Sequence, residues 1–364
     1  MTRFVRLLSL VTIASGLFAV SDLYAQTATT SVVASGLNNP RGLSFSADGS
    51  LYVAEAGRGG SGPCVDDPAS TSDRCYGASG AILRIDLRKG TQERVVTGLP
   101  SLAVNGGSAT GPHDISFQGN KGYVTIGFGG DPINREALGE LGPLFGRIAV
   151  LLPNGRISLD TDVAAFEKLA DPNEDGADSN PYGILALPGR RVMTDAGGNS
   201  LVEIGANGKV STVATFADRV VPVPFPPFAA PMDAVPTTVA EGPDGYLYVG
   251  QLTGFPFPPG GASVYRVVPG NAPEVYATGF TNIIDIAFDA SGNLYVLELA
   301  RNSLMSGNLT GRLVRVDQDG DQVEIPTAQP LFAPGGLAIG KDGSIYVTVG
   351  SVIPAGGQVL RLDF

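Results

Sequence analysis

Six times along the chain a short apolar run leads through a tight polar turn into a second run with an aromatic or β-branched centre. The pairs are Gly42–Phe45 with Leu51–Val53, Asp114–Phe117 with Gly122–Val124, Gly183–Ala186 with Arg191–Met193, Thr238–Ala240 with Leu247–Val249, Asp285–Phe288 with Leu294–Val296, and Gly336–Ile339 with Ile345–Val347. The aligned residues Leu43, Ile115, Ile184, Val239, Ile286 and Leu337 are 72, 69, 55, 47 and 51 positions apart. Third and fourth runs follow in most repeats, as in Ala81–Ile85 with Arg94–Thr97 and Ser263–Val267 with Glu274–Ala277. Four short strands per repeat, joined by Asp-Gly and Asn-Gly turns, predict the blades of a β-propeller. Each small sheet buries its faces against its neighbours, and only ring closure leaves none uncovered.

The two ends of the chain predict how the ring shuts. The sixth repeat stops after a third strand, Gln358–Leu362, whereas Ser31–Leu37 reads like the outer-strand segment Arg94–Leu99. The leading strand should therefore complete the last blade. The expected architecture is all-β, a six-bladed propeller forming one domain over residues 26–364. Composition agrees: 50 glycines and 27 prolines in 364 residues disfavour long helices, and 43% hydrophobic residues exceed what a disordered chain carries.

Residues 1–25 read as a signal peptide, with Arg3 and Arg6 ahead of the apolar run Leu7–Val20 and a cleavage site after Leu23-Tyr24-Ala25. A secreted or periplasmic protein is expected, without a membrane span once the segment is removed, and a monomer. In that setting Cys64 and Cys75, eleven apart in one Gly/Pro/Asp-rich loop, predict a disulfide. A net charge of −11 disfavours nucleic-acid partners, since phosphate neutralisation needs a basic surface. His113 is the only histidine, which removes polyhistidine metal sites and makes it the one imidazole available as a general base.

Loop lengths separate the two faces of the ring. First-to-second and third-to-fourth turns are short. The long insertions follow second strands (56–80, 127–146, 252–262, 299–311) or link blades (100–112, 168–181, 217–236). Both kinds leave a meandering blade on the same face, so binding is expected there. Second strands close on Glu55, Ile126, Asp195, Gln251, Glu298 and Val349. Asp114 and Asp285 stand near the start of inner strands three repeats apart, and Arg41, His113 and Tyr182 each follow a proline. This pattern predicts an acidic ring at the loop-side mouth of the channel. Its occupant is either a hard cation, calcium before magnesium, or solvent with Arg41 as counter-charge. Asp171–Gly176 follows the D-x-N-x-D-G start of a calcium loop, but position twelve is Tyr182 rather than Glu. Two Pro–Phe loops, with Phe225 and Phe228 in one and Phe255 and Phe257 in the other, either form an apolar shelf or pack on each other.

The phrases Gly36-Leu37-Asn38-Asn39-Pro40-Arg41-Gly42-Leu43, Gly111-Pro112-His113-Asp114-Ile115-Ser116-Phe117, Asp178-Ser179-Asn180-Pro181-Tyr182-Gly183 and Thr194-Asp195-Ala196-Gly197-Gly198-Asn199-Ser200-Leu201 resemble the ScyD/ScyE family of exported bacterial propellers. The resemblance implies a six-bladed propeller of the NHL/TolB-like type and no particular reaction. A more distant similarity to gluconolactonase-type propellers implies one divalent cation on the axis, with Glu55, Asn180, Asp195 and Glu298 as the matching oxygen donors. The expected function is a binding or interaction module for a small molecule, glycan or protein, with Arg41, Tyr182, Gln251 and the four phenylalanines on its working face. The alternative is a cation-dependent hydrolase or lyase of the lactonase-like kind, with His113 as proton shuttle.

Overall fold

The computed structural model describes residues 27–67, 72–223 and 225–364; the expected signal peptide lies outside them. Six antiparallel sheets of four or more strands stand around one axis, each running from an inner strand at the channel to an outer strand at the rim. The inner strands are Pro40–Phe45, Pro112–Gln118, Pro181–Leu187, Pro236–Glu241, Ile283–Phe288 and Gly336–Ile339. The second strands are Leu51–Glu55, Lys121–Ile126, Arg190–Asp195, Leu247–Gln251, Leu294–Glu298 and Ile345–Val349.

The ring closes as the sequence predicts. The leading strand Thr29–Leu37 lies antiparallel to Gly357–Asp363, with Thr30 opposite Leu362, Val32 opposite Leu360 and Ala34 opposite Val359. Ala34, Leu37 and Val359 share one buried cluster with Leu43, Leu51 and Val53 of the first blade. The latch is thus held by backbone pairing and by a hydrophobic seam to the next sheet.

The tight turns repeat a single device. Asp48, Asp244, Asp289 and Asp342 each accept the backbone N–H two residues ahead, at 2.8, 3.2, 2.9 and 3.2 Å. In the first and last of these turns Gly49 and Gly343 take φ of 82° and 83°, a conformation that favours glycine.

Among the features not foreseen, two bear on the site. Val163–Ala170 is an α-helix, capped by the Asp162 carboxylate on the Ala165 N–H at 2.9 Å. Arg219–Pro222 and Ala229–Met232 form an extra hairpin on the connection from the third blade to the fourth. Cys64 and Cys75 form the expected disulfide, facing each other on paired strands. Among the described residues no helix is long and apolar enough to cross a membrane.

Candidate functional site

A register shift early in five inner strands shapes the channel. It falls between Pro40 and Leu43, Pro112 and Asp114, Pro181 and Ile184, Pro236 and Thr238, and Ile283 and Asp285. Such a bulge re-aims the side chains it contains. Residues at four of these bulges gather at the loop-side end: His113, Tyr182, Thr237 and Ile284, with Gly335 of the sixth blade, line a crevice of only about 10 Å³. The His113 ring lies against Tyr182, with centroids 4.5 Å apart. His113 Nδ1 is 3.1 Å from the Pro181 carbonyl and donates to it. Arg41 is buried and donates to the Ala109 carbonyl at 2.8 Å and to the Tyr182 hydroxyl at 3.4 Å. This end of the channel is plugged.

The open part lies on the other side of the plug. A cavity of about 360 Å³ is lined by inner-strand residues from Leu43, Asp114 and Ile184 to Glu241, Phe288 and Ile339. These strands run toward the short turns, so the channel opens on the face with few loops. Glu241 stands at that end.

Asp114 and Asp285 line both spaces. Asp114 accepts the Ile115 N–H at 2.8 Å and, from the next blade, the Ile184 N–H at 2.9 Å. Asp285 accepts the Ile286 N–H at 2.8 Å, the Leu337 N–H of the next blade at 2.7 Å and the Thr238 hydroxyl at 2.6 Å. Burial and the facing Asp285 push the Asp114 carboxyl well above its usual range, and burial pushes Asp285 up to about 6. Gly42 of the first blade packs so tightly on Asp114 that a Cβ there would meet its Oδ1 at 2.0 Å. Burial, with Arg41 and Arg74 nearby, presses His113 down to about 3, so its ring is neutral at physiological pH.

The structure brings Asp114 and Asp285 together, but not the other four sequence-predicted oxygen donors. Glu55 is fully buried and takes two hydrogen bonds from Arg94, at 2.8 and 2.9 Å, plus the Asn38 N–H. Glu298 is fully buried and held by Arg312 at 2.6 and 2.8 Å and by the Thr281 N–H. Asp195 accepts from the Ser179 hydroxyl at 2.7 Å and the Asn180 N–H at 2.6 Å; burial raises it to about 6. Asn180 receives the Phe128 N–H. None of these four lines either channel space. Gln251 is buried too, beneath the loops rather than on their surface.

The two Pro–Phe loops do both things expected of them. Phe225 stacks on Phe255 with centroids 5.9 Å apart, and Phe257 meets Phe255 edge-on. Yet Phe225, Phe228 and Phe255 stay 48%, 63% and 39% exposed. The pair forms an apolar shelf on the loop-rich face.

Beside it lies an acidic group that sequence reasoning found only in part. Asp175, Asp218 and Asp233 bring carboxylate oxygens within 4.8 Å of one another. Glu167, on the unforeseen helix, is wholly buried, and neither of its oxygens has a hydrogen-bond donor among the described residues. Burial, then Asp195, Asp171, Asp175 and Asp178, push it up to about 8. The Asp171–Gly176 motif pointed here. Glu167 stands one helical turn before it, and a search at i−4 would have found it. Asp218 and Asp233 carry no local signal, since only the hairpin brings them together.

No family model matches the chain, and no curated protein does. Solved structures do. An aldose sugar dehydrogenase from Streptomyces coelicolor, with bound PQQ, is 15% identical over 93% of this chain and 98% of its own, with a TM-score of 0.52. A protein from Bacteroides thetaiotaomicron of unknown function is 10% identical over 92% and 75%, TM-score 0.53. A protein described as a candidate gluconolactonase is 12% identical over 92% of each chain, TM-score 0.50. At these identities the likeness establishes the fold, and the chain is a six-bladed β-propeller.

Proposed function

We propose that this protein is a binding module of the ScyD/ScyE type, secreted or periplasmic and monomeric. It would hold a small molecule, glycan or protein partner on its loop-rich face. The observation that carries this reading is the Phe225–Phe255 shelf, an ordered aromatic surface left open to solvent where ring faces can stack against a ligand. The closed channel mouth beneath the loops supports it.

The alternative, a cation-dependent hydrolase or lyase of the lactonase-like kind, requires several oxygen donors converging on the axis. Of the expected set, Glu55 and Glu298 are engaged by arginines, and Asp195 by a hydroxyl and backbone N–H groups. A histidine held near 3 also stores no proton at neutral pH for shuttling. On this reading the divalent cation expected from the sequence, calcium before magnesium, would sit on the loop-rich face, where Asp175, Asp218 and Asp233 lie close together, rather than on the axis.

The test is a glycan and small-molecule binding screen with labelled protein, repeated with Phe225→Ser/Phe255→Ser. Any ligand of the wild type should lose about tenfold or more in affinity, since each stacked ring contributes on the order of 1 kcal/mol. A ligand that keeps its affinity for the double variant contradicts the reading.

A further inference from the structure

The hairpin between the third and fourth blades is built from one kind of side chain. From Val220 to Met232 every residue is Val, Pro, Phe, Ala or Met. Yet the segment is no part of the core. Val220 is 77% exposed, and Pro222, Phe225, Phe228, Ala229 and Pro231 are exposed with it. Through the Phe225–Phe255 stack the tip is joined to a second loop, Gly254 to Gly261, made only of Gly, Phe and Pro. Contiguous apolar surface left in water marks an interaction site.

Three observations say what kind of partner fits. The first is what the two loops lack. Sites for glycans and polar small molecules set side-chain donors and acceptors among their apolar walls to fix orientation. Neither loop offers one over the stretches just given. Backbone groups are few as well. Pro222, Pro224, Pro226, Pro227 and Pro231 have no N–H to strip of water. The Val223 and Phe228 N–H groups donate within the hairpin, to the Phe228 and Phe225 carbonyls at 3.1 and 2.8 Å. Such a segment enters hydrocarbon at low cost in lost hydrogen bonds.

The second is size. Arg219 pairs with Met232 and Pro222 with Ala229. At about 3.3 Å per residue the paired part reaches about 10 Å from its feet, with Phe225 and Phe228 beyond it. Apolar groups at a membrane interface sink about 5–10 Å into the boundary between headgroups and acyl chains. The charges stand at the other end: Asp218, Arg219 and Asp233, all exposed, flank the feet and stay in water when the tip is buried.

The third is the face as a whole. Ile133, Leu169, Met305, Phe332 and Ile353 are exposed too, and each lies in a long loop or blade connector on the loop-rich side. Among the described residues no short turn of the opposite face exposes a large apolar side chain. A compact ligand meets one pair of loops, whereas an extended apolar phase meets many.

We propose that the loop-rich face docks on a lipid bilayer, with Phe225 and Phe228 of the hairpin and Phe255 and Phe257 of the neighbouring loop inserted as a wedge. The lipid surface is zwitterionic rather than anionic. Carboxylate oxygens of Asp175, Asp218 and Asp233 lie within 4.8 Å of one another at the feet, and the chain carries a net charge of −11, so an anionic leaflet repels it. The proposal rests on the reading of this face as the binding face, and names a bilayer as what it binds.

The test is flotation of the protein with phosphatidylcholine vesicles and with vesicles that also contain phosphatidylglycerol. Wild type should float with the first and bind the second no more tightly, and added salt should not release it. Phe225→Ser/Phe228→Ser should weaken partitioning about tenfold or more. It should melt like wild type, because both rings are exposed in the free protein. Val275→Ser, which removes another exposed side chain from the rim strand Glu274–Phe280, should change nothing. The chain has no tryptophan, so Phe228→Trp supplies a sole reporter. Its emission should shift to the blue on vesicles and be quenched by brominated acyl chains, and that of Val275→Trp should do neither. No flotation of wild type, flotation that survives Phe225→Ser/Phe228→Ser, or binding that needs phosphatidylglycerol and falls with salt overturns the proposal. So does quenching of Val275→Trp equal to that of Phe228→Trp. The two readings fail separately. A soluble ligand that depends on Phe225 and Phe255, with no flotation, ends the lipid docking and keeps the binding module. Neither ligand nor vesicle depending on the shelf ends both.

Discussion

Asp114 and Asp285, three blades apart, meet in the same channel space and do the same job there. Each accepts the N–H of the residue after it and an inner-strand N–H of the following blade, Ile184 in one case and Leu337 in the other. The two carboxyls staple neighbouring sheets at opposite points of the ring. Their mutual repulsion is the cost of that symmetry.

Burial of the two carboxyls, more than their repulsion, sets a pH dependence. The unfolded aspartates release protons near 3.8, whereas folded Asp285 does so near 6 and burial likewise raises Asp114 well above its usual range. Between those values the folded state holds more protons than the unfolded one, so stability falls as pH rises through the window. The pair's contribution should make the protein more stable at pH 5 than at pH 7.5. Below about pH 4 the trend should reverse, because Asp48, lowered to about 2 by Ser46 and the Ser50 N–H, must be protonated against its bonds. Urea unfolding at fixed pH steps checks this; a stability that rises steadily from pH 5 to pH 7.5 contradicts it.

Arg312→Met should be among the more damaging exposed-side changes. It leaves Glu298 buried without its two strongest hydrogen bonds. A loss of about 3 kcal/mol is expected, the lower end for breaking a buried pair, since Arg312 itself is partly solvated. Urea denaturation measures it, and a loss below about 1 kcal/mol would mean that the pair behaves as a surface ion pair.

The latch should be as sensitive. Leu37→Ala empties a fully buried position in the seam between the last blade and the first, with an expected cost of about 2–5 kcal/mol. A chain starting at Asn38 should expose the edge of Gly357–Asp363 and associate. Size-exclusion chromatography reads the second outcome; a monomeric, cooperatively folding truncation would show that ring closure does not need the strand.

Much of this architecture is legible in the sequence because propeller blades repeat. Leu43, Ile115, Ile184, Val239, Ile286 and Leu337 recur in one local context, and the likeness of Ser31–Leu37 to Arg94–Leu99 gives the closure. The site is less legible. A strand-end carboxylate such as Glu298 looks the same in sequence whether it meets a cation on the axis or an arginine on the next strand. What decides is the position of Arg312 one strand over, which local spacing does not display. The bulges ahead of Leu43, Asp114 and Ile184 are equally silent. They turn Arg41, His113 and Tyr182 from a rim into a plug.

The most direct test of whether this propeller works from its axis is the titration of its single histidine. With one imidazole in the chain, proton NMR follows His113 without ambiguity. A buried ring donating to Pro181 and pressed down to about 3 should show no change in shift between pH 8 and pH 5. A midpoint near 6.5, the value of a free imidazole, would mean that the channel mouth is open to solvent and would return the proton-shuttling axis to the centre of the protein's function.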